Sequence, residues 1–191
     1  VNRGDGYYGK GGYDEAIADY SEAIALGYDL AVVYERRGDV YFENDDYGKA
    51  IEDYTQAATL DPSLASAYLS RGDVYFRKDD YGRALADYEA ALGIEGGAAA
   101  KEKIANAHFY LGEEYLDDED DDKAGKAIEE YSKAIAFDPD YGDAYNSRGH
   151  IYYRRKDYDK AIADYEAAVR LYPDSAAIKN NLERARQARG Q

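Results

Sequence analysis

The sequence predicts an all-α chain built as a stack of helix-turn-helix units, and three observations carry that expectation. Residues 31–64 and 65–98 are two copies of one 34-residue unit laid end to end. Within each copy, apolar and small residues recur at helical spacing rather than in the alternation of a strand. All three prolines, Pro62, Pro139 and Pro173, fall at position 32 of the unit, where a residue without an N–H ends a helix and turns the chain.

The register between the two copies is strict. Tyr34 pairs with Tyr68, Arg37-Gly38-Asp39 with Arg71-Gly72-Asp73, Tyr41-Phe42 with Tyr75-Phe76, Asp53-Tyr54 with Asp87-Tyr88, and Ala57 with Ala91. Self-similarity at one fixed period is the mark of a stacked array in which each unit buries its apolar face against its neighbours. Counting each unit from Ala31 as position 1, a first helix is expected over about positions 1 to 14 and a second over about positions 16 to 30. Positions 8, 20 and 27 hold Gly or Ala (Gly38, Ala50 and Ala57 in one copy), so backbones approach there while Tyr and Phe fill the remaining space.

Taken in order, residues 1–30 form an incomplete unit in which Tyr7, Tyr13, Ala16, Tyr20 and Ala23 fall at positions 11, 17, 20, 24 and 27. Val1 is then position 5, so the first helix lacks its opening turn. That end is expected to fray or to self-associate through Tyr7, Tyr8, Ile17 and Tyr20. After the two regular copies, Gly96-Gly97 breaks the register, and the helix-favouring stretch from Ala98 to Ile104 extends the next first helix backwards. The unit 99–141 also carries three extra residues, in the acidic run Asp117 to Asp122, which lengthen its inter-helix turn. Residues 142–175 are regular again. Residues 176–189 make half a unit with a polar outer face (Lys179, Asn180, Asn181, Glu183, Arg184, Gln187), suited to a C-terminal capping helix. The whole of 1–191 is expected to be a single solenoid domain.

Composition limits the function. With 24 Lys and Arg against 40 Asp and Glu, the net charge of -16 argues against nucleic acid as a ligand and favours cationic partners. The 23 tyrosines therefore read as packing residues at positions 4, 11, 17 and 24 rather than as base-stacking platforms, which come with a positive groove. No cysteine is present, which excludes disulfides, thiolate nucleophiles and sulfur metal ligands and leaves cytosol and periplasm both open. No apolar run approaches the roughly 20 residues that span a bilayer, and no signal-peptide core is present, so a soluble segment with no membrane partner is expected. No methionine is present either, so Val1 is expected not to be a translation start and the chain to be a piece of something longer.

These residues resemble the tetratricopeptide repeat family, whose pattern is an aromatic at 4, Leu-Gly at 7 and 8, Tyr at 11, Ala at 20, an aromatic at 24, Ala at 27 and Pro at 32. The match covers nearly the whole chain. Position 4 is Tyr34, Tyr68, His108 and Tyr145 instead of Trp, and position 7 is Arg37, Arg71 and Arg148, with Leu only at Leu111. The aliphatic stems of those arginines are expected to cover apolar surface.

The resemblance implies a right-handed α-α superhelix that acts as a non-enzymatic protein-protein interaction scaffold, with first helices lining a concave groove. Carried onto this chain, the groove positions are Asp5, Tyr8, Glu35, Asp39, Phe42, Asp73, Phe76, Phe109, Glu113, Asn146, His150 and Tyr153. Acids at position 9 run beside aromatics at position 12, so a basic or aromatic-basic peptide or protein segment is the expected partner. The family's clamp for carboxylate-ended chaperone tails needs Lys, Asn and Arg where this chain has Glu35, Asp39, Ser70, Asn106 and Tyr110, which disfavours that ligand. The alternative is a structural or self-oligomerising segment of a larger multi-repeat protein.

Other motifs have plainer readings. Arg-Gly-Asp occurs at residues 3–5, 37–39 and 71–73, always at positions 7 to 9 inside a packed helix, whereas an adhesion ligand needs an exposed loop. The run Asp117 to Asp122 lacks the glycine and spaced ligands of a calcium loop and reads as a solvated turn. His108 takes a core aromatic position, and His150 is expected near Glu113 across the groove, one pair being too little for a metal site, so neither suggests a metal or a catalytic triad. No catalytic, cofactor or metal site is expected.

Overall fold

The computed structural model describes residues 1–28, 30–116 and 121–190, with the side chain of Asp121 left aside. Residues 117–120 of the acidic run lie outside the described residues. Among those described there are eleven helices and no strand: α1 (Asn2–Tyr8), α2 (Tyr13–Ala25), α3 (Leu30–Glu43), α4 (Tyr47–Leu60), α5 (Ala65–Arg77), α6 (Tyr81–Glu95), α7 (Ala98–Glu114), α8 (Asp121–Phe137), α9 (Gly142–Arg154), α10 (Tyr158–Leu171) and α11 (Ala176–Arg189). The chain divides into two compact units, Val1–Ala100 and Lys101–Gln191.

Local chemistry explains the boundaries. Asp46, Asp80 and Asp157 precede α4, α6 and α10, and each accepts a hydrogen bond from the backbone N–H three residues on, satisfying a donor that the helix leaves unpaired. The residue before each of those caps is left-handed: Asp45 (φ 56°), Asp79 (φ 58°) and Lys156 (φ 61°), with Gly11 (φ 77°) at the same position of the first repeat. Asp tolerates that conformation when its side chain bonds locally, and Asp45 and Asp79 accept from the Tyr47 and Tyr81 hydroxyls at 2.8 and 2.9 Å. Each proline sits two residues past a second helix, after Leu60, Phe137 and Leu171. The second helices without a proline, α2 and α6, are followed instead by left-handed glycines, Gly27 (φ 75°) and Gly96 (φ 64°), and the Gly96 N–H bonds the Leu92 carbonyl.

In unit Val1–Ala100 each helix packs on the next, and α3 also touches α5. The core is layered: Ala16, Tyr20, Val33 and Val40 form one cluster, and Ala50, Tyr54 and Val74 another. In unit Lys101–Gln191, α9 packs on α8, α10 and α11 around Ala127, Tyr131, Ala144 and Ile151, then Ala161, Tyr165, Leu182 and Ala185. The capping helix α11 thus contributes Ile178, Leu182 and Ala185 to the core and carries the polar residues elsewhere on its surface.

Three expectations need correction. Tyr20 is fully buried and Ile17 and Tyr8 are half-buried, so of the four residues expected to offer an open first-repeat face only Tyr7 is exposed. Helix α1 packs on α2, with Tyr20 filling the space beside Gly4. Tyrosines at positions 4, 11 and 17 are mostly half-buried, and full burial belongs to position 24: Tyr20, Tyr54, Tyr88, Tyr131 and Tyr165. The position-7 arginines do more than cover apolar surface, because their guanidinium groups carry hydrogen bonds described next.

Candidate functional site

The Arg-Gly-Asp tripeptides are half of a two-helix lock. In the second repeat Arg37 donates from Nε and Nη2 to the two oxygens of Asp53 at 2.7 and 2.8 Å, and in the third Arg71 does the same to Asp87 at 2.8 and 2.6 Å. Arg148 and Asp164 repeat the pair at 2.8 and 2.7 Å, and Arg3 pairs with Asp19. The remaining guanidinium nitrogen, Nη1, reaches the preceding repeat: Arg37 to Ser21 at 2.8 Å, Arg71 to Thr55 at 3.0 Å and Arg148 to Ser132 at 2.9 Å. A bidentate guanidinium-carboxylate fork is both directional and strong, and here its third donor ties neighbouring repeats together.

Glycine at position 8 makes room for the tyrosine at 24. A Cβ on Gly38 would lie 2.8 Å from the Tyr54 ring, on Gly72 2.5 Å from Tyr88, and on Gly112 2.7 Å from Tyr131. The phenol then donates to the acid at position 9: Tyr20 to Asp5 at 2.6 Å, Tyr54 to Asp39 at 2.9 Å, Tyr88 to Asp73 at 2.8 Å and Tyr131 to Glu113 at 2.5 Å. Burial first, then the neighbouring acid, pushes the Tyr54 and Tyr88 phenols well above their ordinary value.

One repeat departs from this pattern. Position 7 is Leu111, and the buried acid across from it, Glu130, is held by His108 Nδ1 at 2.6 Å and by Lys133 at 2.8 Å. His108 is buried, as expected, and stacks on Phe137, but it also serves as the polar partner that arginine supplies elsewhere.

Four of the residues expected in a groove come together in unit Val1–Ala100. Tyr8 of α1, Asp39 and Phe42 of α3 and Asp73 of α5 line a cavity of about 90 Å³ with Glu43, Tyr54 and Ser70. Asp39 is pushed up to about 6, mainly by burial and further by Glu35 and Glu43, while the Tyr54 hydrogen bond and Arg36 pull it down. Glu35, on the same helix, is half-buried. Phe42 and Phe76 each pack on the tyrosine five residues on, with ring centroids 5.8 Å from Tyr47 and 5.2 Å from Tyr81. Asp5 is exposed apart from its Tyr20 bond.

In unit Lys101–Gln191 the expected residues serve other ends. Phe109 is half-buried, its ring 5.7 and 5.1 Å from those of Tyr131 and Tyr141, and packs against the core cluster of this unit. Glu113 accepts from Tyr131, and Asn146 accepts from Asn181 at 3.2 Å. His150 and Tyr153 line a second cavity, of about 150 Å³, with Arg154, Tyr165, Asn181 and Arg184. Arg154, at position 13 of its unit, was not picked out from the sequence, and Asn181 and Arg184, at positions 6 and 9 of the capping half-unit, were read only as part of its polar outer face. The sequence sign that was available is the change from acid to His150 at position 9.

Among the described residues no three His, Asp or Glu side chains come together to hold a metal ion, and no helix is long and apolar enough to cross a membrane.

Comparison with known proteins follows the same repeats. A DnaJ homolog subfamily C member 7 homolog of Dictyostelium discoideum is 32% identical over 66 residues, which is 35% of this chain and only 12% of that protein. Among solved structures, MamA aligns with a TM-score of 0.64 and 26% identity over 89% of this chain and 94% of its own. YrrB, described as a TPR protein with an unusual peptide-binding site, aligns with a TM-score of 0.65 and 19% identity over 94% of this chain and 88% of its own, a likeness of fold. The family described as "TPR repeat" matches residues 4–45, 38–79 and 123–155, and "Tetratricopeptide repeat" matches 65–96 and 142–175. With more than half of its length matched, and with the helix pairs and small-against-large layers in place, the chain belongs to the tetratricopeptide repeat family.

Proposed function

We propose that the chain is a protein-interaction scaffold rather than an enzyme, and that the first-helix face of unit Val1–Ala100 binds a basic segment carrying an aromatic or apolar residue. One observation supports the reading above the rest: the cavity that gathers Tyr8, Asp39, Phe42, Glu43 and Asp73 from three successive repeats. Three carboxylates share it with the aromatic rings of Tyr8, Phe42 and Tyr54. The elevation of Asp39 to about 6 reports a carboxylate whose charge is poorly solvated and faces like charges. A cationic side chain seated there relieves that repulsion while its stem rests on Phe42. The fold is one that carries a peptide-binding site in YrrB.

Each partly exposed charge pair contributes only about 0.2 to 1 kcal/mol, so an affinity on the order of micromolar is expected from several pairs plus apolar contact. The test is fluorescence anisotropy with a labelled peptide, Gly-Lys-Phe-Lys-Arg-Phe-Lys-Gly, and its counterpart with every Lys and Arg replaced by Gln. Saturable binding of the basic peptide that weakens as salt rises is the expected result. Equal binding of the glutamine peptide, or binding indifferent to salt, contradicts the proposal.

A further inference from the structure

The last complete repeat lacks the acid that its predecessors supply to their buried tyrosine. In Tyr20, Tyr54, Tyr88 and Tyr131 the phenol donates to a carboxylate of the paired helix at 2.5 to 2.9 Å. Tyr165 occupies the same place beside Gly149, but the residue after that glycine is His150. Although Tyr165 is only 1% exposed, its hydroxyl has no hydrogen-bond partner among the described residues. No sealed side-chain nitrogen or oxygen of those residues lacks a partner. The hydroxyl is therefore open to the cavity of about 150 Å³ that Tyr165 lines with His150, Tyr153, Arg154, Asn181 and Arg184.

The wall of this cavity is cationic in a chain whose net charge is -16. The Arg184 guanidinium lies over the Tyr153 ring, 5.6 Å from its centroid, and has no carboxylate partner among the described residues. Stacking of that kind holds the guanidinium in place without consuming its donors. Asn181 is held by its 3.2 Å bond to Asn146. Burial pushes the Tyr165 phenol up to about 12, and the charge of Arg184 acts against that rise, which places the guanidinium within electrostatic reach of the hydroxyl.

We propose that this cavity binds a carboxylate, the acidic side chain of a partner protein segment, which takes the place of the missing position-9 acid. It accepts a hydrogen bond from Tyr165 Oη and pairs with Arg184, beside His150 and Asn181. A carboxylate is favoured over other anions because that is the group each of the other four buried tyrosines bonds, and because the guanidinium fork matches its two oxygens. Cavities of about this volume hold a benzene-sized group, so a carboxylate and its methylene stem fit. The site is separate from the one proposed for basic segments and stands independently of it.

The test is ¹H–¹⁵N correlation NMR on the full chain, titrated with N-acetylglutamate α-amide, with N-acetylglutamine α-amide and with inorganic phosphate. The glutamate probe is expected to shift the amides of residues 149–151, 165 and 181–184 saturably, and the glutamine probe is not. His150→Asp installs the internal acid that the other repeats already tolerate, so its spectrum should remain that of a folded chain while the response to the glutamate probe is lost. Arg184→Gln should weaken the response by at least about tenfold, as removal of a charged hydrogen bond does. Equal shifts from the glutamine probe, a response unchanged in both variants, or no response to the glutamate probe overturns the proposal. Phosphate acting at the same amides with equal or higher affinity overturns the assignment to a carboxylate.

Discussion

Tyr54 Oη donates to Asp39 Oδ1 at 2.9 Å, across the bare backbone of Gly38. The bond joins the two helices of one repeat and also sets the charge of the proposed groove, because it is one of the two influences that hold Asp39 down against burial. Tyr54→Phe should therefore raise the Asp39 midpoint above about 6, read from the side-chain carboxyl ¹³C shift. It should also cost about 1 to 3 kcal/mol in urea denaturation, since a partly buried acceptor loses its donor.

Asp39 also gives stability a pH dependence of definite sign. Its folded value of about 6 lies above the ordinary 3.8, so the folded chain holds this proton more tightly than the unfolded one. The contribution is fully present below the unfolded value and is lost as pH rises through about 6. Between about pH 5 and about pH 7.5 the parent should lose on the order of 1 kcal/mol more stability than Asp39→Asn. Parallel pH profiles for the two proteins would count against a buried, repelled carboxylate.

Two glycine substitutions should move stability in opposite directions. A Cβ on Gly72 would sit 2.5 Å from the Tyr88 ring, and the ring is packed, so Gly72→Ala should destabilise by about 1 to 3 kcal/mol despite alanine's better helix propensity. Gly93 lies in α6 with nothing within 4 Å of its added Cβ, so Gly93→Ala should stabilise by about 0.5 to 1 kcal/mol. Thermal melts of the two variants settle the point.

The repeat itself was legible in the sequence because period, glycine and proline are one-dimensional signals: Gly38 and Gly72, and Pro62, Pro139 and Pro173, announce their roles by position. The pairing of Arg37 with Asp53 was not, because cross-helix hydrogen bonds depend on rotamers and on the helix crossing, and periodicity encodes neither. A signal was nonetheless present in the chain's own repeats. Asp at position 23 accompanies every Arg at position 7, whereas the repeat with Leu111 carries Glu130 and brings in His108. The acids Asp5, Asp39, Asp73 and Glu113 were read as ligands for a partner, and each also accepts a bond from its own repeat's tyrosine. The packing of Phe109 was not legible either, because a family's groove position says nothing of local contacts, and here its half-buried ring rests against Tyr131 and Tyr141.

Arg71 links Asp87 within its repeat to Thr55 of the one before. Arg71→Gln leaves a buried carboxylate without its cation and should cost about 3 kcal/mol. Thr55→Val should cost only about 1 kcal/mol. In the double variant the two effects should fall short of their sum, since the second partner is already gone. Strict additivity in urea denaturation would show that Nη1 contributes nothing to the contact between repeats.

The location of the charge, rather than its amount, is the centre of the functional account, and one charge-matched comparison tests it. Asp39→Asn with Asp73→Asn removes two acids from the cavity, whereas Glu52→Gln with Glu89→Gln removes two exposed acids from the second helices α4 and α6. Both double variants have the same net charge. In anisotropy titrations with the basic peptide at physiological salt, the cavity variant should bind at least about tenfold more weakly than the parent, and the second-helix variant within about twofold of it. Equal weakening by both variants would mean that the peptide answers only to the overall charge of the chain, and the groove would lose its claim.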